Sequence, residues 1–237
     1  ENHAGAAEGQ QTTENQETGN NGQTASETQG TEQGDSQVPD GMVASGGRYI
    51  DPNAPMVALT FDDGPNARYT PMLLDELKKR NIRASFFLIG ENIEGNEDIL
   101  LQMRKDGHLI GNHTWDHVQL DKIPAEKARL EIEKTNNRIY EASGIYPSYV
   151  RPPFGAWIKD MELSVTMLPV FWDVDTLDWK SKNIDSILSI AQKQVHDGSI
   201  ILMHDGYQTS VDAALKIADL FTEKGYVFVT ADQLLLT

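Results

Sequence analysis

Between residues 57 and 229, short apolar runs alternate with amphipathic stretches of helical period, and that alternation leaves few folds open. Residues 57–61, 84–89, 109–111, 149–150, 168–172, 199–203 and 226–229 read as strands. The helix candidates between them are 70–80, 97–105, 121–142, 184–195 and 211–221. Pro71 stands at a first helical position, and Gly107 and Gly144 stand where helices end. Six or seven strands separated mostly by helices predict a parallel α/β architecture. Reactive residues follow several different strands, which favours a barrel, where such residues collect at the C-terminal face. An open doubly wound sheet gathers its site in one crevice, and the chain has no Gly-rich dinucleotide or phosphate loop to support one.

Residues 1–40 do not continue the pattern. They hold eight acidic residues and no Lys, Arg or aromatic residue. So little apolar surface does not offset the entropy of ordering a chain, so a disordered acidic polar tail or linker is expected there, with a segment that folds on a partner as the alternative. The folded domain is expected over residues 41–237. The net charge of −16 is shared about equally between the two parts. Such a balance disfavours nucleic acid and anionic lipid and suits an uncharged or cationic polymer. With no cysteine, disulfides, thiolate catalysis and Cys metal sites are excluded, which leaves His and carboxylate as ligands. No stretch has the roughly 18 apolar residues of a membrane span. The chain begins with Glu, so a signal peptide, an anchor or a cut boundary is expected before it. A polar tail ahead of a compact domain suits an extracellular or cell-surface protein.

The densest chemistry lies in Thr60-Phe61-Asp62-Asp63-Gly64-Pro65. Adjacent carboxylates at the end of an apolar strand repel each other in a dry site unless a cation or a proton separates their roles. Alone, the run also reads as an acidic turn. His113 and His117, in HTWDH, reach one metal if their segment makes a helical turn. With Asp63 they form a two-His, one-carboxylate set that suits one divalent ion: Zn by ligand type, with Co, Ni, Mn or Fe compatible. Arg151, in RPPFG, is either a solvated loop residue or the clamp of a carboxylate, with the prolines fixing backbone N–H groups near an oxyanion. Asp178 and Trp179, in DTLDW, are either a helix cap and core or a histidine partner and an apolar wall. His204 ends another strand, where a nearby carboxylate would orient its ring and raise its pKa, making it a proton donor.

In this order the segments TFDDGP, HTWDH, RPPFG, DTLDW and LMH resemble those of the polysaccharide deacetylases of carbohydrate esterase family 4, the NodB-homology domain, over about residues 50–236. The resemblance implies a distorted (β/α) barrel with about seven parallel strands as the catalytic domain. It implies Asp62 as catalytic base, Asp63, His113 and His117 as metal ligands, Arg151 as the residue orienting Asp62, and Asp178 as partner to the general acid His204. Trp179 and Leu202 would line the pocket for the acetyl methyl. Phe154 stands where many members have Tyr, and its backbone N–H would serve the oxyanion hole. The implied reaction removes N-acetyl groups from an acetylated polysaccharide, with bacterial peptidoglycan N-acetylglucosamine preferred and chitin close behind.

Three rival readings make distinct demands. Acetylxylan esterase activity uses the same machinery on an ester. A glycosidase needs carboxylates about 5–10 Å apart across a sugar ring, which neighbours Asp62 and Asp63 are poorly placed to provide. A silent carbohydrate-binding protein predicts erosion of the reactive set, which is complete here. Trp115 and Trp157 offer flat faces for sugars, with ordinary packing as the alternative.

Overall fold

The computed structural model describes residues 42–45, 48–159, 163 and 166–235; the tail expected over residues 1–40 lies outside them. The elements follow in the order β1 (Val43–Ser45), β2 (Arg48–Ile50), β3 (Met56–Gly64), α1 (Tyr69–Lys79), β4 (Ser85–Leu88), α2 (Glu97–Lys105), β5 (Leu109–Asn112) and α3 (Ala125–Ser143). The second half holds β6 (Tyr149–Val150), β7 (Leu168–Pro169), β8 (Val174–Asp175), α4 (Asp178–Ser181), α5 (Ile184–Gln194), β9 (Ser199–His204), α6 (Gln208–Glu223), β10 (Val227–Val229) and α7 (Ala231–Leu235). β1 and β2 form a small antiparallel pair. The main sheet follows the path β7-β6-β5-β4-β3-β9-β8, with β10 beside the first residues of β3. Every pairing in it is parallel, so it is a curled, distorted (β/α) barrel, as the alternation predicted.

Strand alternation decides which side chains enter the barrel. On β3, Val57, Leu59 and Phe61 pack outward with Leu73 and Leu77 of α1 and Ile217 of α6. On β9, Ile201 and Met203 join the same layer. Each such fully buried side chain contributes about 1.5–3 kcal/mol. The intervening residues face inward: Ala58 meets Phe87, Val170 and Ala231, and Ile200 packs against them. Asp62 and His204 share this inward phase and are register partners at the C-terminal ends of β3 and β9.

Three local expectations change. The predicted strand 168–172 shortens to β7, since Val170 N–H still pairs with Val150 but the chain then turns toward the cleft. The predicted helix 121–142 begins at Ala125, after Pro124 ends a short 3₁₀ turn at Leu120–Lys122. β3 runs through Gly64 rather than stopping at Phe61.

Candidate active site

The reactive segments all lie at the C-terminal ends of strands. Asp62 and Asp63 close β3, His113 follows β5, Arg151 follows β6, Asp178 follows β8, and His204 closes β9. Asp62, Asp63, His113, His117, Phe154, Trp179, Leu202 and His204 line one cavity of about 410 Å³. Arg151 and Asp178 lie fully buried behind its wall.

Arg151 is held by the barrel interior. Its Nη1 donates to Asp62 Oδ1 at 2.9 Å and to Thr60 Oγ1 at 2.6 Å, while Nε and Nη2 donate to the carbonyls of Val170 and Phe171. Its guanidinium lies 4.3 Å from the centroid of the Phe87 ring. Burial pushes the Arg151 pKa below its ordinary value, and the charge of Asp62 opposes that push. The side chain fixes one oxygen of Asp62 and leaves the other directed toward His113, whose Nε2 is 3.7 Å away.

Asp63 takes a different direction because the strand is irregular there. The register against β4 shifts between Asp62 and Gly64, and Asp63 sits at φ 71, a left-handed conformation. Its carbonyl accepts from Asn92 Nδ2 at 2.9 Å. Its Oδ1 is 3.3 Å from His113 Nε2 and 3.4 Å from His117 Nε2. Burial raises the Asp63 pKa, but the imidazoles of His113, His204 and His117 bring it below the ordinary value overall.

A metal fits this group on three counts. One ligand atom from each of Asp63, His113 and His117 lies within 4.8 Å of the others. Asp63 Oδ1 is buried and, among the described residues, has no hydrogen-bond partner. His113 Nδ1 donates to the Arg151 carbonyl at 2.6 Å, which fixes the tautomer and leaves the Nε2 lone pair facing Asp63. The helical turn that would pair the histidines is absent. Residues 113–117 form a loop with Thr114 at φ 67 and His117 at φ 61, and these left-handed turns bring the two rings to 5.0 Å between centroids.

His204 faces Asp63 Oδ2 at 4.0 Å across the cavity. Behind it, Asp178 Oδ1 meets Nδ1 at 2.8 Å and Asp178 Oδ2 accepts the His204 backbone N–H at 2.9 Å. Burial lowers the His204 pKa, but Asp178, together with Asp62 and Asp63, more than reverses it, to about 9. Asp205, next in sequence, is not the ring's partner: it turns away and accepts from Thr70 Oγ1 at 2.5 Å. Phe154 stands at φ 60 with its ring edge-on to His117.

Trp115 and Trp157 are packing residues outside the cavity lining. Trp115 covers Gly90 so closely that a Cβ there would come within 2.5 Å of it, and Trp157 joins the cluster around Ile132 and Val150. The aromatic walls come instead from Trp172, Trp179 and Tyr207, with Asp175 beside them. Trp172 and Tyr207 have no sequence signal beyond flanking DTLDW and LMH, whereas Asp175 opens DTLDW without a role of its own there.

A family model for polysaccharide deacetylases matches residues 49–170. The chain is 40% identical over 185 residues to the peptidoglycan-N-acetylmuramic acid deacetylase PdaC of Bacillus subtilis, covering 78% of this chain and 40% of that protein. The solved PdaC structure superposes with a TM-score of 0.75 at 40% identity, over 78% of this chain and 92% of that one. A peptidoglycan-N-acetylglucosamine deacetylase of Bacillus cereus is 40% identical over 192 residues, or 78% of this chain and 70% of that protein. A family pseudoenzyme from Bacillus anthracis shares the fold with a TM-score of 0.71 at 28% identity, over 78% of this chain and 66% of that one. The chain spans about two-fifths of the length of PdaC and of the Listeria monocytogenes deacetylase PgdA.

Proposed function

The chain belongs to the polysaccharide deacetylase family, carbohydrate esterase family 4, and on that premise we propose that it hydrolyses the N-acetyl amide of N-acetylglucosamine units in bacterial peptidoglycan. One observation carries the reading: a proton acceptor, a ligand triad and a carboxylate-paired histidine converge on a single cavity. A fold shared with a pseudoenzyme does not carry activity by itself. The presence of all of these residues together is what supports activity here.

Asp63, His113 and His117 would hold a divalent cation, zinc by ligand type, which when bound would supply Lewis acidity for the acetyl carbonyl and for water. Asp62, held by Arg151, accepts the proton of the attacking water as its oxygen bonds to the carbonyl carbon. The backbone N–H of Phe154 donates to the oxyanion that develops. His204, protonated and oriented by Asp178, then delivers its proton to the amide nitrogen as the C–N bond breaks. Acetate and the free sugar amine are the products. Leu202 and Trp179 form an apolar wall for the acetyl methyl, and Trp172 and Tyr207 give the cleft faces against which a sugar ring packs.

Residues 41–237 would be the catalytic unit, working outside the membrane at the cell wall; among the described residues no helix is long and apolar enough to cross a membrane. Acetate release from peptidoglycan, chitin oligomers and acetylxylan, each with and without chelator, tests the proposal. Chelator-sensitive release, fastest from peptidoglycan, is expected, with mass analysis of the digested wall placing the free amine on glucosamine. Loss of acetyl from muramic acid alone would move the substrate to the sugar named for PdaC. Release from acetylxylan alone would make the chain an esterase, and shortened sugars without acetate a glycosidase.

A further inference from the structure

His113 and His117 sit on a loop with no helical or strand hydrogen bonds of its own, and two of its non-glycine residues are left-handed. Such conformations cost about 1–3 kcal/mol each and persist only when their surroundings over-determine them. The bonds that do so come from elsewhere in the fold. His113 N–H donates to the Leu88 carbonyl, and the Thr114 and Trp115 carbonyls accept from Gly90 and Glu91. Thr114 N–H donates to Asn112 Oδ1 at 2.7 Å, and Asn112 is itself anchored on α3 through Ile132 O and Asn136. The N–H groups of Trp115 and Asp116, which lie between the two histidines, have a single acceptor. Both donate to Oε2 of Glu131, at 2.9 Å and 3.2 Å.

We infer that Glu131 is a positioning residue for the metal site: from α3, outside the cavity, its carboxylate oxygen sets the curvature of the loop and hence the spacing of His113 and His117. The inference rests on the reading of those histidines and Asp63 as ligands. Glu131 does not line the cavity, and its Oε2 accepts from Trp115 and Asp116, not from the histidines. Neighbouring contacts brace the same segment, with Lys134 Nζ 3.4 Å from the centroid of the Trp115 ring. Without Glu131, two adjacent N–H groups lose their acceptor, and the loop relaxes toward conformations in which the rings no longer converge. Because one oxygen accepts both bonds, the role requires a carbonyl-type oxygen at that reach and not a negative charge. Glutamine supplies such an oxygen; aspartate, one methylene shorter, keeps the charge but withdraws it.

The test uses the full chain, stripped of metal, with Co²⁺ as the probe. Binding is read by chelator competition and by the d–d absorption of the bound ion, with thermal melts of the metal-free proteins alongside. Glu131→Ala and Glu131→Asp are expected to weaken Co²⁺ binding by about 10- to 100-fold, the range for residues that support metal ligands, and to change the band shape. Glu131→Gln is expected to remain within about threefold of the parent. Parent-like affinity and spectrum in Glu131→Asp would overturn the inference, as would a Glu131→Gln variant that falls as far as Glu131→Asp. If the alanine variant does not fold, the aspartate and glutamine pair still decides. Absence of Co²⁺ binding by the parent chain would sink the ligand reading itself, a result distinct from tight parent binding left unchanged at position 131.

Discussion

Acid should destabilise this protein through one buried histidine remote from the cleft. His108 precedes β5 and is 6% exposed. Its Nδ1 accepts the backbone N–H of Ala84 at 3.0 Å, which fixes the ring as the neutral Nε2–H tautomer. It stands edge-on to Phe86, 5.3 Å between centroids, and its buried Nε2 has no partner among the described residues. Burial pushes its pKa down to about 4, with Arg83 and Arg48 reinforcing the shift and Asp106 opposing it. The folded pKa lies below the unfolded value of about 6.5. Stability from the neutral ring is therefore full above about pH 6.5 and is lost as pH falls from there toward about 4. The full shift corresponds to about 3 kcal/mol, of which about 2 kcal/mol falls between about pH 8 and pH 5. Urea unfolding of the metal-free protein at those two pH values, beside His108→Asn, isolates the effect. Asn Oδ1 takes the place of Nδ1 as acceptor for Ala84, so the variant loses packing equally at both pH values but has no proton to gain. The parent should lose about 2 kcal/mol more than the variant on acidification. Equal losses in both proteins would refute this account of His108.

Asp62→Asn should keep its cation and lose about 10²- to 10⁴-fold in acetate release, whereas Asp63→Asn should lose the cation, as metal analysis after desalting will show. Loss of metal from Asp62→Asn would reverse the two roles. The proposed mechanism requires His204 protonated, so turnover should fall as pH rises through its pKa near 9. Asp178→Asn removes the charge that holds that value up while burial still presses it down, so the alkaline limb of kcat should move to lower pH. A limb that stays in place would remove His204 from the proton-transfer step.

The barrel and its reactive rim were legible because both follow from short-range rules. Apolar runs separated by helices dictate a parallel sheet, and period two along β3 and β9 sends Asp62 and His204 inward together. The geometry between His113 and His117 was not legible. Spacing four invites a helical turn, but Asn112 and Glu131 offer the loop hydrogen bonds that a helix would have to forgo, and both depend on α3 packing alongside. For His204 the residues alone left the orienting carboxylate open, with Asp205 next in sequence, whereas the resemblance implied Asp178, whose Oδ1 does meet the ring. Adjacent residues on a strand face opposite sides, whereas Asp178 arrives from the end of the neighbouring β8. Trp172 and Tyr207 reach the cleft by tertiary placement alone, while Trp115, between His113 and His117, is drawn off to cover Gly90.

Consecutive carboxylates divide their work only if different parts of the fold hold them. Simple alternation would send Asp63 outward into the helical layer. The register shift after Asp62, with Asp63 at φ 71, returns it to the cleft, and Asn92 secures its carbonyl. Asp62 is fixed independently, by Arg151, which Thr60 Oγ1 braces while donating to the Ile201 carbonyl. Among the described residues no hydrogen bond joins Asn92 to Thr60 or to the Arg151 guanidinium; Arg151 meets the metal group only through its backbone carbonyl, which accepts from His113, so perturbations at Thr60 and Asn92 should separate. Thr60→Val keeps the shape but removes the brace, and should lower kcat about tenfold with metal affinity unchanged. Asn92→Leu releases the Asp63 backbone and should weaken metal binding about tenfold, with kcat restored at saturating metal. If either substitution moves both quantities together, the pair behaves as one rigid unit, and the separate roles of base and ligand are not set by separate elements.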